Sequence, residues 1–170
     1  MNVTVEISLS ENLSSSDPDG PESSDEVPPG VPGEKLLQSW ASAAYLDSTP
    51  AVASIQITTS DEMQRLNKRY RDKDKPTNVL SFPMQSPEEV DMCLLGDIAL
   101  CASVINREAL QQAKNHDAHW AHMVVHGMLH LQGFDHIEEQ EAEEMEQLEI
   151  KILSELGIAN PYQQNNQSNE

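Results

Sequence analysis

The stretch "HGMLHLQGFDH", residues 126–136, decides how the C-terminal half of this 170-residue chain folds, because it places two histidines at helical spacing and a third just after a glycine. His126 and His130 are four residues apart, so on a helix they project from one face, one turn apart. Gly133 is suited to end that helix, since a left-handed backbone costs glycine little. The chain can then turn back and bring His136 to the same place. Three neutral imidazoles with a fourth position left open are typical of a catalytic zinc site, although any one of them alone would more often be an ordinary core or surface residue.

Gly127 separates this stretch from the similar helix of zinc proteases. Those enzymes carry a glutamate base at the second position of the motif, and glycine has no side chain to supply one. Phosphoryl transfer depends less on such a base, because positioning and charge neutralisation do most of the work. A metal ion can polarise the phosphoryl oxygen and lower the pKa of bound water to around 7. An arginine can stabilise the added negative charge, and Arg71, at the predicted end of the second helix, is the best-placed candidate.

Other polar residues near the histidines leave alternatives open. His116, His119 and His122 are expected to be polar residues on a partly exposed helix, although His119 and His122 continue the metal-binding face and could act beside it. Asp135 either orients a metal-binding histidine or caps the last helix together with Glu138.

The net charge of −19 would by itself argue against a nucleic-acid partner, but the charge is unevenly distributed along the chain. An acidic surface repels nucleic-acid phosphates. Six of the ten basic residues nevertheless fall within "RLNKRYRDKDK", residues 65–75. This segment predicts a local phosphate contact, with a solvated charged helix as the alternative.

The cysteines and the N-terminus indicate a cytoplasmic protein. Cys93 and Cys101 lie in an apolar stretch, which favours buried thiols in a reducing compartment. The start "MNVTVEISLS" lacks the pattern of a secretory signal. No apolar stretch approaches the roughly 20 residues that a transmembrane helix needs, so no membrane partner is expected.

The hydrophobic periodicities predict an α+β fold, with a small mixed sheet of about four strands and about five helices, the metal-binding helix lying in the C-terminal half. We expect one domain over residues 1–160, with a flexible acidic loop at 10–33 and a disordered tail at 161–170. Ser60 is the predicted N-cap of the second helix, and Gly96 marks a bulge or a close approach. In the last helix an apolar stripe is expected to be buried and the glutamates solvated. The predicted strands are 3–9, 51–59, 78–84 and 92–101, and the predicted helices are 34–46, 61–70, 102–115, 117–132 and 138–156.

Three separated blocks resemble the YbeY family of bacterial metal-dependent endoribonucleases. They are "LNKRYRDKDKPTNVLSFP" (66–83), "LLGDIAL" (94–100) and "HWAHMVVHGMLHLQGFDHIEEQEAEEMEQLE" (119–149). The resemblance implies one zinc ion per chain held by His126, His130 and His136, with Arg71 functionally important beside it. It also implies cleavage of single-stranded RNA, maturation of the 3′ end of 16S ribosomal RNA, ribosome quality control, and association with the small ribosomal subunit and its proteins. Asn78 departs from the aspartate that the family often has, and Phe134 from a common tyrosine.

The leading hypothesis is therefore a zinc-dependent endoribonuclease in which Arg71 and His126 are catalytic. Arg71, Lys73 and Lys75 would contact the RNA. Asp97 and Asp135 would support the metal-binding histidines, with a turn or strand-end cap as the alternative role of Asp97. Metal-bound water and the 2′-hydroxyl of the RNA both remain candidate nucleophiles. The alternatives are a non-catalytic ribosome-assembly factor stabilised by zinc and, more remotely, a zinc peptidase that takes its base from elsewhere in the chain.

Overall fold

A computed structural model describes residues 3–9, 31–47, 49–83, 93–134 and 139–161, without the side chains of residues 9 and 93. The bounds of its elements lie within a few residues of those predicted. In chain order they are β1 (Val3–Leu9), α1 (Glu34–Ala44), β2 (Ala51–Thr58), α2 (Ser60–Arg71), β3 (Val79–Pro83), β4 (Cys93–Cys101), α3 (Ala102–Gln111), α4 (His116–Leu131) and α5 (Glu139–Glu155).

The four strands form one mixed sheet in the order β1-β2-β4-β3. β1 pairs with β2 and β2 with β4 in parallel, whereas β3 runs antiparallel to β4 at the end of the sheet. With five helices packed around it, the sheet confirms the predicted α+β class. Residues 10–30 of the predicted acidic loop and residues 162–170 of the predicted tail lie outside the described part of the chain.

Helix α4 is the central helix of the fold, since it is buried on nearly every side. Trp120, Val124 and Met128 have no exposed surface, as expected for a helix that is apolar around most of its circumference. It packs on one face of the sheet, and Gly127 makes the approach close. A Cβ at Gly127 would lie 3.0 Å from Cγ2 of Ile98 on β4.

Helix α2 covers part of the opposite face of the sheet. Met63 is buried there in a small cluster with Leu80, Ala99, Cys101 and Val104. The N-cap of this helix differs from the predicted one by one residue. Thr59 is the N-cap, and its hydroxyl accepts a hydrogen bond from the Glu62 amide at 3.2 Å. Ser60 is already helical, so the predicted cap was one residue late.

Gly96 produces both effects expected of it. Val52 pairs with Leu94 but Ala53 pairs with Gly96, so β4 carries a bulge at this point. Gly96 has a φ of 135°, and an added Cβ would overlap the carbonyl oxygen of Phe82 on the neighbouring strand.

Cys101 is a buried free thiol, as predicted. Among the described residues no helix has the length and apolar character needed to cross a membrane.

Candidate active site

The two histidines of α4 that are four residues apart converge on one point. Nε2 of His126 lies 3.1 Å from Nε2 of His130, and the ring centroids are 4.6 Å apart. Two nitrogens that each lie about 2.0–2.1 Å from a tetrahedral zinc ion are about 3.3–3.4 Å from one another. The pair is therefore already close to the spacing that one shared cation requires.

Glu149 of α5 orients the first of these rings. It is fully buried, and its Oε2 lies 2.5 Å from Nδ1 of His126, while its Oε1 lies 3.3 Å from Nε2 of His122. Burial by itself would raise the pKa of Glu149, but the hydrogen bonds from His122 and His126 outweigh it and lower the pKa to about 2. The ionised carboxylate accepts a hydrogen bond from Nδ1–H of His126, which leaves the lone pair on Nε2 facing His130. Metal-binding histidines in proteins are commonly held in this way.

The described residues thus offer a metal ion two overlapping groups of ligands. One is the pair of Nε2 atoms of His126 and His130. The other is His122, His126 and Glu149, which can each present one ligand atom within 4.8 Å of the others. In the second group the carboxylate is already engaged by both imidazoles and has no exposed surface, which suits a supporting role better than direct coordination.

A groove of about 810 Å³ opens beside the histidine pair. His126 and His130 of α4, the C-terminal end of α2 and strand β3 all contribute to its lining. The lining residues are Arg71, Lys73, Thr77, Asn78, Val79, Leu80, Ser81, Pro83, His126, His130, Gly133 and Phe134.

Arg71 is fixed at this groove by its neighbours. One Nη donates to the Ser81 carbonyl at 2.9 Å and the other to the Tyr70 carbonyl at 3.2 Å, and the guanidinium carbon lies 5.6 Å from the centroid of the Phe82 ring. Ser81 also donates through its hydroxyl to the Gly127 carbonyl at 3.3 Å, which ties β3 to α4. Arg71 and the histidine helix are therefore connected through Ser81 of β3, and both line the groove.

Of the other site residues predicted from the sequence, some line this groove and some do not. Lys73 lines the groove, reached through the left-handed Asp72 (φ 59°) that ends α2. Lys75 is exposed but is not one of the described residues that line the groove. Asp97 lines a second cavity, on the other side of β3, and the structure does not bring it to the histidines. His136 and Asp135 lie outside the described residues.

The environment of the upstream histidines differs from the sequence prediction. His119 and His122 lie on a buried part of α4, with 4% and 7% of their surface exposed, and not on a partly exposed helix. Nε2 of His119 lies 2.9 Å from Oε1 of Glu108, which also accepts from the amide of Asn78 at 3.1 Å. Burial lowers the pKa of His119, and Glu108 only partly offsets this effect.

Glu149 is the functional residue that the sequence interpretation missed. The prediction that the glutamates of the last helix are all solvated is wrong for this one. A signal existed in the spacing, because Ala142, Met145, Glu149, Ile152 and Leu156 repeat at alternating intervals of three and four. An acidic residue within a buried stripe requires a partner, and the histidines of α4 were available to provide it.

The fold and the site together define an α+β protein with a candidate metal centre facing a groove that carries an arginine. Comparison with known families identifies it further. The family model described as endoribonuclease YbeY matches residues 33–157, most of the chain, and the protein belongs to that family. This confirms the resemblance noted in the sequence.

A solved structure is similar over nearly the whole length of both proteins. The solution structure of TM1509 from Thermotoga maritima aligns with a TM-score of 0.51 and 20% identity, covering 95% of this chain and 100% of that one. At this level of identity the similarity supports the fold.

Proposed function

We propose that this protein is a zinc-dependent endoribonuclease that cleaves single-stranded RNA and acts in ribosomal RNA processing, at the 3′ end of 16S ribosomal RNA and in ribosome quality control. Membership of the endoribonuclease YbeY family supports RNA cleavage. The observation that carries the proposal is the placement of His126, His130 and Arg71 around one groove.

The residues present suit a zinc ion. The two Nε2 atoms are 3.1 Å apart, and Glu149 fixes the tautomer of His126 so that its Nε2 can coordinate. We assign His126 and His130 as two ligands and, from the sequence, His136 as the third. When bound, zinc supplies Lewis-acid polarisation of a phosphoryl oxygen and a lowered pKa for a coordinated water.

Arg71 is the group proposed to hold the scissile phosphate. A guanidinium has five N–H donors, and its two hydrogen bonds to Ser81 and Tyr70 leave donors for the substrate. Its charge neutralises the phosphate and stabilises the extra negative charge that develops in the transition state. Lys73, on the same groove, is placed to bind a neighbouring phosphate.

The test combines RNA cleavage with metal analysis of the purified protein. We expect His130→Ala to lose zinc and cleavage together, and Arg71→Lys to keep zinc while cleavage falls by about 10²–10³-fold. His116→Ala and Arg107→Lys, on exposed or half-exposed positions of α4 and α3, are the matched controls. Cleavage that persists after chelation and in His130→Ala would refute the proposal. Products that end in a 2′,3′-cyclic phosphate would identify the 2′-hydroxyl as the nucleophile, whereas direct hydrolysis products would identify water.

One observation favours a second candidate, a non-catalytic ribosome-assembly factor. Glu149 joins α5 to two histidines of α4, so a metal ion there could serve only to fasten the helices. This function predicts that Arg71→Glu leaves ribosomal RNA maturation intact while removal of the metal unfolds the protein. A peptidase is disfavoured because Gly127 has no side chain to act as the base of the protease motif, so the base would have to come from elsewhere in the chain.

A further inference from the structure

We propose that the cavity on the far side of β3 binds a nucleobase of the same RNA strand whose phosphate lies at Arg71, an inference that rests on the proposed function. The cavity has a volume of about 480 Å³ and does not include His126 or His130 in its lining. Its wall and floor residues are Ser8, Ser54, Gln56, Leu66, Tyr70, Phe82, Asp97, Ile98 and Ala99.

The position of β3 connects the cavity to the groove. β3 is the last strand of the sheet order, and successive side chains of a strand point to opposite faces. Ser81 and Pro83 accordingly line the groove, and Phe82 lines the cavity. Arg71 lies at the boundary, since it lines the groove while its guanidinium carbon lies 5.6 Å from the Phe82 ring centroid. A strand of RNA that crosses β3 would place a phosphate at Arg71 and a base beyond it.

The cavity has the side chains that recognise single-stranded bases. Tyr70 and Phe82 meet edge to face, with ring centroids 5.1 Å apart and planes at 67°, and Tyr70 is half exposed. The guanidinium of Arg69 lies 5.4 Å from the Tyr70 centroid. Aromatic rings interleaved with cations are typical of surfaces that stack bases and hold the adjacent backbone.

The polar floor indicates which part of a nucleotide would enter. Asp97 pairs across the sheet with Ser54 on one side and Phe82 on the other, so its carboxylate shares their face. An ionised carboxylate only accepts hydrogen bonds and repels a phosphate. A base that carries an exocyclic amino group, as adenine, cytosine and guanine do, fits this acceptor better than uracil, whose single N–H donor is flanked by two carbonyl oxygens that the carboxylate repels.

The experiment uses the zinc-loaded full chain and short single-stranded RNA substrates in which one abasic nucleotide is moved along the strand. We expect one position near the cleaved bond to lower kcat/KM by about tenfold in the wild type, the order of magnitude of one lost base stack. In Tyr70→Ala the same abasic change should have an effect below about threefold, whereas Tyr70→Phe, which keeps the ring, should respond as the wild type does. Leu110→Ala, at an exposed apolar position of α3, is the control.

A second, isosteric variant tests the floor of the cavity without removing a ring. At the sensitive position, the wild type should prefer cytosine over uracil by about tenfold in kcat/KM, and Asp97→Asn should reduce this preference to below about threefold, because an amide both donates and accepts. If the wild type cleaves RNA but no abasic position matters, or if Asp97→Asn keeps the full preference, the base site is refuted while the nuclease stands. If the wild type neither binds nor cleaves RNA, the proposed function fails and the base site fails with it.

Discussion

At the scale of single residues, the position of Glu149 is the feature that most affects the chemistry. A carboxylate with no exposed surface would be costly to bury alone, yet two imidazoles hold it ionised. Its contact with Nδ1 of His126 selects the tautomer in which Nε2 can coordinate a metal ion. Glu149 is thus expected to act on the metal through His126.

Glu149→Gln removes the charge but keeps the shape of the side chain. We expect zinc affinity to fall by about 10- to 100-fold, as for other carboxylates that orient a metal-binding histidine. A chelator competition assay measures this, with circular dichroism to establish that the variant is folded. Glu146→Gln, exposed on the same helix, is the control, and an unchanged affinity in Glu149→Gln would mean that the carboxylate only packs α5 against α4.

His119 should make stability depend on pH. Its folded-state pKa lies below the usual 6.5, because burial and the nearby Lys114 and His122 outweigh Glu108. Below pH 6.5 the unfolded chain therefore binds the proton more readily, and the unfolding free energy should fall as the pH decreases from 6.5 towards the lowered pKa. Urea unfolding between pH 7.5 and 5.5 should show a shallower fall in His119→Gln than in the wild type. The half-exposed His116→Gln is the control, and identical profiles for wild type and His119→Gln would contradict the assignment.

At the scale of elements, the contact between α4 and β4 determines where the histidines lie. Gly127 allows the helix axis to approach the sheet, and Ser81 holds β3 against the same residue through its hydrogen bond to the Gly127 carbonyl. The residue that removes a protease base from the motif therefore also lies at a close approach between helix and sheet.

Gly127→Ala tests this contact. Alanine is favoured over glycine in a helix by about 1 kcal/mol, but overpacking typically costs about 1–3 kcal/mol, and here the added Cβ would lie 3.0 Å from Cγ2 and 3.1 Å from Cδ1 of Ile98. We expect a net destabilisation in chemical denaturation, partly relieved in the double variant with Ile98→Val, which removes Cδ1. A stabilised single variant would show that the helix can move away from the sheet.

The sequence was sufficient for the elements and insufficient for their mutual placement. The predicted helix 117–132 agrees with α4 (His116–Leu131) to within one residue at each end, because capping and periodicity are local. The burial of His119 was not predicted, since it depends on which elements pack around α4. The sequence interpretation expected Asp97 beside the metal-binding histidines, because no local signal says which face of β4 the histidine helix covers. Arg71 was correctly predicted to lie at the end of α2, and its place beside the histidines depends on β3 being the end strand.

At the scale of the whole molecule, the charges restrict where RNA can approach. The chain carries a net charge of −19, and the outer face of α5 presents a row of exposed acids. They are Glu139, Glu141, Glu143, Glu144, Glu146 and Glu155. The exposed cations Arg69, Arg71 and Lys73 lie instead at the end of α2 and beyond it.

RNA affinity should therefore depend on salt in proportion to a small number of phosphate contacts. With about three contacts at about 0.7 each in the single-strand slope, raising the salt from 50 to 200 mM should weaken binding about 20-fold. Lys73→Gln should reduce the slope of log K against log salt by about 0.7, measured by fluorescence polarisation. Lys151→Gln, exposed on α5, should leave the slope unchanged, and a slope near zero in the wild type would exclude phosphate binding by these cations.

The contact between Glu149 and His126 also affects when the enzyme becomes competent. During translation His122 and His126 of α4 leave the ribosome before Glu149 of α5 does. Until α5 has folded back, His126 lacks the partner that selects its tautomer, so we expect the unfinished chain to hold zinc weakly. A nuclease synthesised in this order would remain inactive towards ribosomal RNA while it is still attached to the ribosome.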